Sequence, residues 1–171
     1  MGVPVEEHKD NVVKSVACAV VTVSDTRTAE TDKSGQLIRE LLTAAGHTVH
    51  SHQIVVDEPV RIREALLKLR DDSDCSAVLI SGGTGLALRD TTYEVVAGLL
   101  DKRLDGFGEL FRSMSYEEIG PAAMLSRAIG GVMGQTAVFS MPGSTPAVRL
   151  AMAKLIVPEL GHIVYLLSRE S

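Results

Sequence analysis

Three short segments of this chain combine glycines, small hydroxyl side chains and carboxylates in the way a phosphate-binding site requires. The first is Thr22-Val23-Ser24-Asp25-Thr26-Arg27. The second is Ser81-Gly82-Gly83-Thr84-Gly85, running on to Arg89-Asp90-Thr91-Thr92, and the third is Ser140-Met141-Pro142-Gly143-Ser144. In the second segment, Gly82, Gly83 and Gly85 permit positive φ and close approach, so backbone N–H groups can face an anion, and Thr84 adds a hydroxyl donor. The segment is not a P-loop, because no Gly-Lys-Ser/Thr follows, and not a dinucleotide fingerprint, because Leu88 stands at the third glycine position. Alone, such a loop reads equally well as a tight strand-to-helix turn.

The carboxylates shift that balance. Asp90 precedes Thr91, Thr92, Tyr93 and Glu94, where it can cap a helix. It can also hold Mg²⁺ beside the glycine loop, since a hard cation bridging phosphates takes one or two carboxylates. Asp57 ends the second strand, as a turn residue before Pro59 or as a partner for Asp90. Asp25 has an ordinary role as a cap. Taken singly each favours the structural role, whereas three on one sheet edge favour a cation site. Ser144 stands before a helix starting near Pro146, first as its cap and second as part of an anion site. Glu109 and Arg112, one helical turn apart, read as a salt bridge within the helix or across a subunit contact. His50 and His52 alternate along a strand with no third ligand, and His162 lies on a terminal helix. With no Gly-x-Ser-x-Gly, His-Glu-x-x-His or Cys-His pair, nucleophilic hydrolysis has little support.

The elements that must position these residues alternate. Val16–Val23 is an apolar, β-branched run expected to be a strand buried on both faces. Helix is predicted over Ser34–Ala45, ended by Gly46, then a strand over His47–Val56 and a helix from Pro59 to Leu69. Ala77–Ser81 reads as a third strand and Thr92–Leu100 as a helix. Short helices are expected at Glu109–Met114 and from Pro121 to Ala128. A hairpin, Gly130–Met133 and Thr136–Met141, turns at Gly134-Gln135, and two last helices fall near Pro146–Ile156 and Glu159–Leu167. This order predicts an α/β fold: three αβα layers around a mostly parallel sheet with a short antiparallel portion. Ligands of such sheets bind beyond the carboxyl ends of the strands, so all three segments should converge on one edge.

A chain of 171 residues is expected to be one domain, here residues 15–171 after a flexible N-terminal arm over 1–14. Seventeen basic against 22 acidic residues leave a net charge of −5, which gives no reason to expect nucleic acid or an anionic membrane as partner. An anionic ligand must then be held by backbone amides, single arginines or a metal. Cys18 and Cys75 are too few for a disulfide framework, and Cys18 lies in an apolar run, so a reduced, cytoplasmic protein is expected. No segment is expected to approach transmembrane length.

Together the motifs resemble the molybdenum cofactor biosynthesis family of MogA and MoaB proteins, with Gly106-Phe107-Gly108-Glu109, Phe111-Arg112 and Ser126-Arg127-Ala128 adding to the match. The segment Met114–Gly120 is most similar to the MoaB branch. The resemblance implies a molybdenum cofactor biosynthesis protein-like fold, a homo-oligomer (trimer or hexamer), and other enzymes of that pathway as partners. It implies an adenylyltransferase, a nucleotidyltransferase that uses Mg²⁺ and ATP as co-substrate. The terminal phosphate of molybdopterin attacks the α-phosphorus of ATP, giving adenylated molybdopterin and pyrophosphate. By the same resemblance Asp57 and Asp90 are the catalytic and metal-holding positions. Thr22, Ser24 and Asp25 lie near the molybdopterin phosphate, while Ser81, Gly82, Gly83, Thr84, Gly85, Pro142, Gly143 and Ser144 line the pocket.

The residues suit this chemistry. A phosphate nucleophile is already ionised, so catalysis reduces to positioning and charge neutralisation, and the absence of a triad is expected. Several relatives carry Asn where this chain has Ser144, a shorter side chain that is expected to alter pterin contacts. The Arg89-Asp90 pair, missing from some inactive MoaB-branch proteins, is retained. The alternatives are a non-catalytic molybdopterin carrier or scaffold, and an ATP-dependent enzyme acting on another phosphorylated metabolite.

Overall fold

The uncharged run around Val20 becomes an interior strand of the sheet. In the computed structural model, which describes residues 12–169, β1 (Ala17–Val23) lies between β2 (Thr48–Val55) and β3 (Ala77–Ser81), parallel to both. All of β1 beyond Ala17 is buried, as a strand covered on both faces must be. The sheet continues through β4 (Lys102–Arg103), β5 (Ile129–Met133) and β6 (Thr136–Met141) in the order β2-β1-β3-β6-β5-β4. β6 runs parallel to β3, whereas β5 pairs antiparallel with β6 and β4 antiparallel with β5. The hairpin turns at Gly134, whose φ of 63° suits a residue without Cβ.

Helices cover both faces, giving the expected three layers. Leu37, Ile38 and Leu42 of α1 (Lys33–Ala44), Phe107 and Phe111 of α4 (Asp105–Ile119), and the C-terminal helix pack on Val20, Leu79 and Phe139. On the other face, α2 (Pro59–Arg70) and α3 (Thr92–Leu99) bring Ile62, Leu66 and Val96 against Val21, Val78 and Ile80. The two cysteines are buried, and burial above all pushes the Cys18 thiol up to about 12, with Cys75 adding to it. Both therefore act as small hydrophobes.

Five expectations need correction. β4 is too short to leave a periodic signal. α4 begins four residues before the predicted Glu109, because Gly108 in its first turns allows close approach to β5: a Cβ there would lie 2.7 Å from Ala128 O. The Pro121 segment is a 3₁₀ turn, Gly120–Leu125, that stops before Ala128. The last two helices are one: α5 (Thr145–Ala151) passes through a π-helical turn, Met152–Ile156, into α6 (Val157–Ser168). Pro158 removes a backbone N–H, and the wider turn just before it lets the helix continue. The resulting 24-residue helix has a mean hydropathy of 1.6 over its most apolar window, enough by length and composition to cross a membrane, contrary to expectation. Its residues Met152, Ile156 and Leu160 are core residues against the sheet.

Residues 1–11 lie outside the described residues, and with them most of the expected arm. At its end, Val13 N–H donates to Gly161 O at 3.1 Å. Leu79 is fully buried at the centre of the larger core. Leu79→Ala is expected to lower stability by about 2–5 kcal/mol, read as a lower urea midpoint with unchanged slope.

Candidate functional site

Four parallel strands, β1, β2, β3 and β6, end at one sheet edge, and their loops touch. Ser24 N–H donates to Val55 O at 2.9 Å and Gly82 N–H to Met141 O at 3.1 Å. Gly82 has φ +97°, and a Cβ on it would lie 2.3 Å from Val23 O, so only glycine fits between β1 and β6. Gly83, at φ +64°, leaves a space that a Cβ would fill at 2.0 Å from Thr92 Oγ1 and 3.1 Å from Asp57 Oδ2. The predicted convergence of the three segments is therefore present, with the β2 end and Asp57 beside them.

A cavity of about 350 Å³ opens along this edge. Gly83, Thr84, Gly85, Asp90, Pro142, Gly143 and Ser144 form one side, and Phe111 and Ser115 of α4 with Ser126 form another. Of the three carboxylates, Asp90 lines this cavity, whereas Asp57 and Asp25 are not among its lining residues. Asp57 Oδ1 is buried with no hydrogen-bond partner. Burial raises the Asp57 pKa, and the charges of Asp90 and Asp25 add to that, against a backbone hydrogen bond from Thr91 and the charge of Arg89. Asp25 accepts from Asp57 N–H through Oδ1 at 3.0 Å and pairs with Arg89 through Oδ2 at 2.6 Å. Asp90 does not cap α3; its Oδ2 turns back to accept from Ala87 N–H at 3.1 Å, closing the loop.

Other candidate residues take supporting positions. Thr22 is fully buried, and its hydroxyl donates to Asp32 at 2.6 Å instead of facing the cavity. Ser24 Oγ accepts from Thr26 N–H and Arg27 N–H at 3.2 and 3.1 Å, shaping its own loop. Ser81 is fully buried with an unpartnered hydroxyl. Ser144 caps α5, accepting from Ala147 N–H at 3.4 Å. His50 pairs with Asp72 at 2.8 Å, and Arg112 donates to Ala128 O at 3.4 Å, where a bond to Glu109 was expected.

Sequence reasoning missed Asp32, only 2% exposed. It receives Thr22 Oγ1 at 2.6 Å, Gly35 N–H at 3.0 Å, His52 Nε2 at 2.9 Å, Ser34 Oγ at 3.3 Å and Arg27 Nη1 at 3.5 Å. Arg27 Nη2 also donates to Gly143 O at 3.0 Å, tying the β1 loop to the β6 loop. Asp-Lys-Ser-Gly before an apolar helical run is a helix-start signature that could have located this carboxylate. The hold of Arg127 on the glycine loop, from the segment before β5, left no such signal.

Asp32, buried, and Asp57, half-buried, are shifted in opposite senses. Burial pushes the Asp32 pKa up, but hydrogen bonds from Thr22, Gly35 and His52 outweigh it and hold it below the usual value. Its contribution to stability is thus present above the ordinary carboxylate pKa and lost as pH falls through the folded value. Asp32→Asn is expected to lower stability at pH 7 by about 1–3 kcal/mol, with the gap to wild type closing in acid, measured by urea unfolding across pH. Asp57 has a raised folded pKa, so its favourable contribution exists at low pH and disappears as pH rises through that value. In chelator at pH 7, Asp57→Asn is expected to raise the thermal midpoint by on the order of 1–2 °C in calorimetry.

Comparison with known proteins follows the same geometry. The model of the probable molybdopterin binding domain matches residues 19–162. Molybdenum cofactor biosynthesis protein B of Bacillus cereus is 59% identical over 167 residues, spanning 97% of this chain and 99% of the relative. The crystal structure of a molybdenum cofactor biosynthesis protein B superposes with a TM-score of 0.89 at 60% identity, covering 91% of this chain and 98% of that one. The tungsten cofactor synthesizing protein MoaB from Pyrococcus furiosus gives 0.79 at 40% identity, over 89% of this chain and 96% of that one. The chain therefore belongs to the molybdenum cofactor biosynthesis family, as a probable molybdopterin-binding domain of the MoaB type.

Proposed function

We propose that this protein transfers the adenylyl group of ATP to molybdopterin and releases pyrophosphate. The observation that carries the reading is the Asp57 carboxylate, which keeps a buried, unpartnered oxygen beside a glycine cradle and within the field of Asp90. A structural carboxylate would have its lone pairs filled, as Asp32 does; one left open suits a cation. Among the described residues no three His, Cys, Asp or Glu side chains gather into a metal site. Asp57 and Asp90 would therefore hold Mg²⁺ with phosphate oxygens and water completing its shell, the usual manner for this ion.

In the reaction a P–O bond forms between the molybdopterin phosphate and the α-phosphorus, and the bond to the β-phosphate breaks. The leaving electron pair departs on pyrophosphate, so no side chain need accept a proton. When bound, the cation supplies neutralisation of the triphosphate charge. The chain's own groups orient the reactants: amides of Gly83, Thr84 and Gly85 line the cavity, and Arg89 sits at the same edge against Asp25. The same reading makes the protein a cytoplasmic homo-oligomer, trimeric or hexameric, working beside other enzymes of the pathway. Exposed Leu110, Tyr116, Ile119 and Met124 along α4 and the 3₁₀ turn give such an assembly apolar surface to bury.

Purified protein incubated with molybdopterin and Mg-ATP is expected to yield pyrophosphate and adenylated pterin in equal amounts, both lost on chelation. Asp90→Ala should lower turnover by roughly 100-fold or more with its circular dichroism unchanged. Tight pterin binding with neither product would leave a carrier in place of a transferase.

A further inference from the structure

The guanidinium of Arg127 divides its donors between the glycine loop and Glu94. Nε donates to Thr84 O at 3.0 Å, and Nη2 donates to Gly85 O at 2.6 Å and Asp90 O at 2.9 Å. Nη1 pairs with Glu94 in the first turn of α3, and the guanidinium carbon lies 5.2 Å from the centroid of the Tyr93 ring. One planar group, 22% exposed, thus grips both ends of the segment 84–90 and the helix that follows it.

Besides Arg127, the segment is tied to the β1 and β2 ends by the exposed Arg89–Asp25 pair at 2.6 Å and by the Thr91 backbone bond to Asp57. Its internal bonds are those between Ala87 and Asp90, at 2.9 and 3.1 Å, and the Thr92 N–H bond to Gly83 O at 3.0 Å. Its apolar side chains anchor nothing, since Leu86 is 67% exposed and Leu88 fully so. The donors of Arg127 face carbonyls and Glu94, which argues against a direct role in binding an anionic substrate. A rigid fork holds three carbonyls in a fixed planar arrangement, whereas a lysine ammonium is a compact point charge on a flexible stem.

We infer that Arg127 is the positioning residue that fixes Asp90 against Asp57, and that it thereby sets the affinity of the site for metal-bound ATP. The ligand named here rests on the function proposed above; the clamp on the loop does not. Arg127→Lys keeps the charge and removes the fork, so loss of geometry is separated from loss of charge. Arg127→Gln, with a smaller planar donor group, serves if the lysine variant does not fold. Glu94→Gln leaves all three carbonyl bonds in place.

The first measurement is hydrogen exchange of the protein without ligands. Arg127→Lys is expected to speed exchange at Ala87 and Asp90 by about tenfold or more while Val20 and Leu79 stay protected, and Glu94→Gln to leave the loop near wild type. The second is binding of Mn²⁺ with ATP, followed by electron paramagnetic resonance, alongside turnover. The lysine variant should need roughly tenfold more metal-nucleotide for half-saturation, with kcat and the KM for molybdopterin changed less than about twofold. Wild-type exchange in the lysine variant, or an equal rise in both KM values, overturns the inference. A wild-type protein that binds Mn-ATP yet forms no product overturns adenylylation alone and leaves the clamp standing.

Discussion

Gly82 passes so close to Val23 O that no side chain fits between them, and the arrangement of the functional edge depends on that contact. The approach seats the end of β3 directly on the end of β1, while the bond from Gly82 N–H to Met141 O ties in β6. With three strand ends locked together, Gly143 falls beside Gly82, where a Cβ would lie 3.2 Å from its Cα. Gly83 then has one place to go, beside Asp57. Parallel strands supply this geometry because their carboxyl ends all face one way. The glycines turn a common sheet edge into a cradle by removing what would hold the loops apart.

The carboxylates at this edge divide by how completely they are satisfied. Asp32, buried under five donors, welds the β1 loop to α1 and, through Arg27, to the β6 loop. Asp57 is less buried yet keeps an unpartnered oxygen, with two like charges nearby. A fold gains nothing from the second arrangement, since burying an unsatisfied charged group opposes folding. The two apolar layers around Val20 and Val21 carry that burden. The contrast separates Asp57 from a carboxylate that serves only the fold, which its place in the sequence could not do.

Much of this was legible in the sequence wherever a local pattern sets the outcome. β-branched apolar runs gave the parallel strands, and glycine with hydroxyl clusters at their ends gave the converging loops. β4 was not legible, because two residues carry no period and its pairing comes from a partner about thirty residues away. The start of α4 was hidden by Gly106 and Gly108, which read as loop although Gly108 serves packing. Pro158 read as a break, and the π-helical turn absorbs it. The cap before α1 left a signature at Asp32, but the donors from Thr22 and His52 come from other strands. Arg127 stood in a matching motif, but its hold on the loop was hidden, because its partners are backbone carbonyls some forty residues earlier and any residue there presents the same acceptor.

The arginines bear on how a chain of net charge −5 would receive the polyphosphate that the proposed reaction requires. Arg27 and Arg127 lie near the cavity, yet both direct donors at main-chain oxygens and each meets a carboxylate, Asp32 or Glu94. They stiffen loops and add little net positive potential. Arg89, 70% exposed and held by Asp25, is left as the side chain able to meet an incoming anion. An exposed pair of this kind is weakly held and can exchange partners at small cost. With so little fixed positive charge, the edge repels polyanions in general. On the proposed reading, neutralisation would come from amides and from a cation arriving with the nucleotide, and a preference for metal-bound phosphate would follow from the shortage of basic side chains.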